Sequence, residues 1–237
     1  MISIDIAVAK THKYASRDSG DTAEVGERPT GGISVVMVDG QGSGHAAKSL
    51  SMLISSKAIS LLKEGIRDGA VARGTHDYLH AYRHGKVSAT LDVVSVDLAT
   101  SEVVVVRNNP IAYIVGHDGC FSYRDETAGP IGPHRHSRPI VDHYPIEAGL
   151  TVVVYTDGIA GAGMRTNLPF DPLLYLRDHA RESTTAEEIA NGVLMAAIDA
   201  DQGRPRDDMT VVALNLVDKP DERENVRRMH LSLPIST

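Results

Sequence analysis

The chain has 237 residues, enough to bury a substantial core in one large domain or two small ones. Hydrophobic residues make up 42% and charged residues 23%, as in an ordinary globular protein. A formal charge of -7 argues against partners that present phosphate arrays, nucleic acid or an anionic membrane surface. Cys120 is the one cysteine, so no internal disulfide can form, and no run approaches the roughly 20 apolar residues of a membrane helix. The start "MISIDIAVAK" lacks a basic opening, a long apolar run and a small-residue cleavage site, so the expected location is the cytoplasm.

Ile2, Ile4, Ile6 and Val8 alternate with Ser3, Asp5 and Ala7, which predicts a half-buried first strand. Residues 11–30 are polar and read as loop or hairpin. Gly32 to Val38 is a buried strand. A long helix follows from Ser43 or Gly44, with Leu50, Leu53, Ile54, Ala58, Leu61 and Leu62 at helical spacing, and ends near Gly65. A second helix is expected over Thr75–His84. From Ser88 the period changes to two, giving four strands with turns at Leu98–Ser101, Asn108–Pro110 and His117–Gly119, an antiparallel meander. The loop Glu126–Pro139, rich in Gly, Pro and His, offers little apolar surface to bury, so it is expected to be mobile and to border the active-site entrance. Strands follow near Ile140–Tyr144 and Thr151–Tyr155. Then come helices over Asp171–Arg181 and Thr184–Ala200, the second with Thr184 and Glu187 as a capping box. The last strand is "MTVVALNLV". No repeat or linker divides the chain, and antiparallel strands with segregated helices indicate one α+β domain over residues 1–217, with a charged tail at 218–237 that alternates again in "MHLSLPI".

Two buried-type strands end on the same pair, Asp39-Gly40 and Asp157-Gly158. An Asp-Gly pair commonly makes the tight turn of a hairpin. Neither is followed by a returning strand, so that use fails at both places. Two more acidic positions border strands: Asp21 in "SGD" and Asp207-Asp208 before the last strand. Four acidic loop ends beside buried strands suit a hard divalent cation, because carboxylate and carbonyl oxygens favour Mg²⁺ or Mn²⁺ over zinc. Unneutralised, these carboxylates would repel one another.

The ordered set "SGD…VDGQGSG…YTDG…DDMTVV" resembles the PPM-type metal-dependent serine/threonine protein phosphatases, and is most similar to their bacterial sporulation and stress-response (SpoIIE/RsbX-like) branch. The resemblance runs over about residues 10–216. It implies a four-layer α/β/β/α sandwich of two antiparallel sheets, with the helices that follow Gly44 and span Thr184–Ala200 on opposite outer faces. It also implies a centre of two Mn²⁺ or Mg²⁺ ions. Asp39 would bridge both metals, Gly40 would supply a carbonyl, Asp21 would serve the second metal, and Asp157 and Asp207 would hold the first. Asp208, where relatives often have Asn, would face a weaker third ion. The implied chemistry is attack of a metal-bridging hydroxide on a phosphorylated regulatory protein of anti-sigma-antagonist type, with Asp39, Asp157 and Asp207 as the catalytic set. The resemblance assigns no residue to the substrate phosphate: Arg17 is near the first acid but off the spacing of the family's arginine, and "RNNPIAY" replaces an Asn-x-Gly-His-type segment.

Two other classes compete. "GSGHAA" after a strand matches a dinucleotide signature, so a nucleotide-binding protein using the Gly40–Ala47 glycine loop is the alternative. It leaves Asp157 and Asp207 without a role. A non-catalytic interaction module would have lost the acids, and all four principal positions are filled. His76, His80 and His84 form a helical stripe that reads as solvated or partner-facing rather than as a zinc site. His134, Arg135, His136 and Arg138 read either as a solvent loop or as a basic lip for a phosphopeptide. Cys120 reads as a small buried hydrophobe, and His45 as a structural residue of the first helical turn.

Overall fold

The computed structural model describes residues 1–14, 16–181 and 183–218, together with Met229 and Ser232. In chain order the elements are β1 (Ile2–Thr11), β2 (Asp21–Glu27), β3 (Gly32–Gly40), α1 (Gly44–Lys63), α2 (Asp68–Arg83), β4 (Ala89–Asp97), β5 (Glu102–Asn108), β6 (Tyr113–His117), β7 (Cys120–Arg124), β8 (Ile140–Pro145), β9 (Leu150–Tyr155), α3 (Asp157–Ala160), α4 (Pro172–His179), α5 (Ala186–Ala200) and β10 (Met209–Asp218). They form two five-stranded sheets, ordered β1-β10-β9-β6-β7 and β2-β3-β4-β5-β8. Every strand pairing among the described residues is antiparallel. A doubly wound parallel sheet, which the dinucleotide alternative needs, is therefore not the architecture.

Strands buried on both faces explain the near-continuous valine runs. Val35, Met37, Val94, Val96, Val103 and Val105 point from the second sheet into the space between the sheets. There they meet Val152, Val154, Val212, Leu214 and Leu216 of the first. The intervening residues point outward: Val36, Val38, Val93, Val104 and Val106 pack under α1 and α2. On the other side, Val153, Tyr155, Val211 and Ala213 pack under α4 and α5. The period-2 alternation of side chains thus feeds three cores. Helices α1 and α5 lie on opposite outer faces, as the resemblance implied.

Several local expectations change. The polar stretch before Gly32 contains a strand, β2, whose composition hides it because it is an edge strand whose apolar side chains are few. The meander is not one sheet: β4 and β5 belong to the second sheet, and the chain crosses to the first at residues 109–112. Buried Arg107 holds this crossing by donating to the carbonyls of Asn109 (3.1 Å), Arg124 (3.2 Å) and Glu126 (3.2 Å), and Asn109 Nδ2 donates to Asp92 (2.7 Å). "RNNPIAY" is therefore a structural crossover. Helix α2 starts seven residues earlier than expected, its first turns disguised by Gly69 and Gly74. The capping box before α5 is Thr185 with Glu188, one residue along, because the Thr185 hydroxyl accepts from the Glu188 N–H. The alternating segment "MHLSLPI" lies essentially outside the described residues.

The histidine stripe is solvated only at its C-terminal end. His76 is 1% exposed, with Nδ1 accepting from the Gly132 N–H (3.1 Å), and burial pushes its imidazole down in pKa. His80 Nδ1 lies 2.8 Å from the Gly132 carbonyl, while exposed His84 ends α2 in the left-handed region. These contacts tie down the loop Glu126–Pro139, and Ile131 within it is fully buried and bridges Ala89. The loop does have apolar surface to bury, so the premise of its expected mobility fails. Cys120 is exposed, not buried: it follows the turn at Asp118–Gly119, and its neighbour Phe121 takes the core position.

Candidate functional site

Four segments bring the acids to one end of the sandwich. Asp21 opens β2 and pairs in register with Asp39, the penultimate residue of β3. Asp157 follows β9, and Asp207 and Asp208 precede β10, which pairs with β9. The two sheets are joined here through side chains. Thr156 Oγ1 (3.0 Å) and Thr210 Oγ1 (2.6 Å), both from the first sheet, donate to Oδ2 of Asp21 in the second. Antiparallel pairing thus places the start of one strand beside the end of its neighbour, and the sandwich stacks the two pairs.

The glycines of the two Asp-Gly pairs are there for space. A Cβ at Gly158 would lie 2.1 Å from the Asp208 carbonyl oxygen, and one at Gly40 would lie 2.5 Å from the Ala47 carbonyl of α1. Gly158 lets the Asp157 turn touch the Asp208 backbone; Gly40 lets α1 seat against the end of β3. The helix fills the space beside Gly40, whereas Gly42 and Gly44 face open space; it is the all-antiparallel architecture that leaves the nucleotide alternative without support.

Electrostatically the cluster is strained. Burial pushes the Asp39 carboxyl up to about 8, reinforced by Asp21, Asp157, Asp207 and Asp208. Burial also raises Asp21, to about 6, against the lowering effect of its two threonine donors. Asp157, at the exposed rim, is raised by desolvation and then by Asp207. Carboxylates held this close while losing water need a compensating cation. Asp21 Oδ1 is buried with no hydrogen-bond partner, a free hard-oxygen acceptor inside the cluster. No three His, Cys, Asp or Glu side chains among the described residues close around a single point. The donors at this end are carboxylate and carbonyl oxygens, the hard ligands that Mg²⁺ and Mn²⁺ prefer. The residues present fit hard divalent ions.

The two adjacent aspartates divide the labour. Asp207 is exposed, and its Oδ1 accepts the Asp208 N–H (2.9 Å). Asp208 is buried and spends both oxygens on backbone: Oδ1 accepts from Lys13 (2.9 Å) and Oδ2 from Gly20 (2.7 Å). The carboxylate expected to face an outer ion thus also ties Lys13 and Gly20 to the residue that precedes β10. Reading the sequence for acids missed the two threonines, although both stood inside the motifs "YTDG" and "DDMTVV". It also missed Lys10 and Lys48, whose ammonium groups converge on the Asp21 carbonyl at 3.0 and 2.9 Å. Lys10 stands on β1 of the first sheet and Lys48 on α1, so the stacking of the two sheets and the packing of α1 against β2 bring these lysines to Asp21. Arg17 is exposed on the 12–20 loop, and His45 is an exposed residue of the first turn of α1.

Two antiparallel sheets between helices, with an acidic centre at one end, define the class of phosphatase-type sandwich that the sequence resembles. A family description, Stage II sporulation protein E (SpoIIE), matches residues 29–217, and the chain belongs to that family. Among solved structures it is similar to the PP2C phosphatase domain with a fragment of the regulatory domain of SpoIIE from Bacillus subtilis. That match has a TM-score of 0.76 at 20% identity, covering 92% of this chain and 65% of that one. It is also similar to RsbX in complex with magnesium (TM-score 0.69, 18% identity, covering 91% of this chain and 100% of that one). A third is the catalytic domain of the serine/threonine phosphatase PstP with two manganese ions (TM-score 0.69, 17% identity, covering 92% and 100%). No match was found among curated proteins.

Proposed function

We propose that this chain is a metal-dependent protein phosphatase that hydrolyses phosphoserine or phosphothreonine on a regulatory protein. The observation that carries this reading is the acidic end of the sandwich, where Asp39 faces four other carboxylates and Asp21 keeps a buried oxygen without a partner. Asp21, Asp39, Asp157, Asp207 and the Gly40 carbonyl are the groups that would hold two Mn²⁺ or Mg²⁺ ions. Bound divalent ions supply Lewis acidity toward phosphoryl oxygens and acidify water. The chain's own part is positional. Thr156 and Thr210 fix the Asp21 carboxylate, Asp39 lies among the other acids, and Asp208 accepts the N–H groups of Lys13 and Gly20. Cys120 lies at the β6–β7 turn, where Asp118 bonds to Gly149 and Gly149 to Leu216, at the far end of β10 from the acids. That position gives no support to a cysteinyl intermediate, and in this reading water is the nucleophile, the phosphate leaving the serine or threonine oxygen as it bonds to the water oxygen.

The activity suits a role in bacterial signalling or stress response, with a phosphorylated regulator of anti-sigma-antagonist type as partner. Among the described residues no helix is long and apolar enough to cross a membrane. Residues 1–217 form the catalytic unit in this reading, acting in the cytoplasm. The test is hydrolysis of p-nitrophenyl phosphate with and without Mn²⁺. Hydrolysis should depend on the metal and be lost in Asp157→Asn; turnover without divalent metal, or an active Asp157→Asn, would overturn it.

A further inference from the structure

We propose that Asp201, which no motif singled out, is a positioning residue that sets the spacing of the two acids the first sheet contributes. This rests on the metal-centre reading above. Asp201 follows α5 directly and is 1% exposed. Its two carboxylate oxygens go to different loops: Oδ1 accepts the N–H of Gly163 (3.0 Å), and Oδ2 accepts the N–H of Arg206 (2.9 Å). Gly163 closes the turn that begins at Asp157, and Arg206 immediately precedes Asp207. The same helix end takes two further bonds from the first loop, Thr166 Oγ1 to the Ala200 carbonyl (3.1 Å) and Arg165 to the Asp201 carbonyl (3.4 Å). A buried carboxylate with each oxygen on a backbone donor is a rigid two-point brace, because charge-assisted bonds of this kind are short and strong. The brace joins the Asp157 loop to the Asp207 loop, as the close approach of Gly158 to the Asp208 backbone also does. Outer groups that fix metal-binding side chains commonly change metal affinity 10–100-fold when removed.

The test uses the full chain as wild type, Asp201→Asn and Asp201→Glu. Mn²⁺ binding is read by calorimetry, p-nitrophenyl phosphate hydrolysis is followed over a range of Mn²⁺, and circular dichroism checks the fold. Asn places an N–H₂ against one backbone donor, whereas Glu keeps both acceptors. Asp201→Asn should bind Mn²⁺ about tenfold more weakly. Excess Mn²⁺ should return kcat toward wild type with KM unchanged, and Asp201→Glu should fall between. A folded Asp201→Asn that loses melting temperature but keeps wild-type Mn²⁺ affinity would overturn the brace. Should Asp201→Asn not fold, Asp201→Glu carries the comparison, and unchanged affinity there is equally fatal. A wild-type chain that binds Mn²⁺ but hydrolyses nothing would refute the phosphatase reading, while the calorimetric comparison still decides the role of Asp201.

Discussion

At the scale of single residues, Asp39 controls the site's electrostatics. Its carboxyl is pushed up to about 8 and that of Asp21 to about 6, both above the roughly 3.9 of an unfolded aspartate. A raised acid binds more protons folded than unfolded between its two pKa values, so the metal-free fold should lose stability as pH rises through that window. For Asp21 the window is about 4 to 6, and for Asp39 about 4 to 8. Chelated wild type should therefore melt at progressively lower temperature from about pH 5 to about pH 8. Asp39→Asn should flatten the upper part of that slope, leaving a residual fall below about pH 6 from Asp21 and from buried Asp92, which is also raised to about 6. A slope unchanged in Asp39→Asn, followed by calorimetric melts across pH, would place the coupled charge elsewhere.

At the scale of elements, function depends on how closely the strand ends approach each other. Gly158 abuts the Asp208 backbone, and the atom a Cβ would strike is a carbonyl, which cannot swing away as a flexible side chain would. Gly158→Ala should force the Asp157 and Asp207 loops apart. Stability should fall by about 1–3 kcal/mol in urea unfolding. Activity should fall further than that loss explains if, as proposed, Asp157 and Asp207 serve one metal centre. Wild-type activity in a folded Gly158→Ala chain would show that the contact has no part in the site. The loop Glu126–Pro139 belongs to this scale too. Its Ile131 bridges Ala89, which pairs with Gly40, so its anchored half extends the second sheet at the acidic end. Exposed His134, Arg135, His136 and Arg138 sit on the rest of it.

At the scale of the molecule, the acidic end trades stability for function. Packing five aspartates at one end of a sandwich costs free energy that a bound cation returns, since a ligand that binds only the folded state stabilises it by mass action. At a hundredfold excess over Kd this amounts to about 2.7 kcal/mol per site. In a chain of this length that is a rise of roughly 5–10 °C in Tm. Wild type should show that rise with Mn²⁺, and Asp39→Ala should show far less while its metal-free form melts no lower than wild type. Asp208→Ala should keep most of the metal-dependent rise but start from a lower Tm, because the Lys13 and Gly20 N–H groups lose their acceptor. A full Mn²⁺ response in Asp39→Ala, seen in thermal melts, would remove that residue from the centre.

Most of the sandwich's strands and helices are legible in the chain alone, because valine runs buried on both faces and leucines at helical spacing are local signals. The acids are marked there as well, since two buried strands ending in Asp-Gly with no returning strand have no ordinary explanation. What stays hidden depends on which strands lie side by side. β2 carries too little apolar surface to announce itself, yet its register with β3 sets Asp21 against Asp39. Nothing in "DDMTVV" tells which aspartate turns inward; the Lys13 and Gly20 N–H groups, nearly two hundred residues away in the chain, decide that. Thr156, Thr210 and Asp201 acquire their roles the same way, from donors and acceptors that only the closed sandwich brings within hydrogen-bond range. Periodicity is a property of neighbours in the chain and is written in the sequence. The partner of a buried polar atom is a neighbour in space, and burial makes finding that partner obligatory.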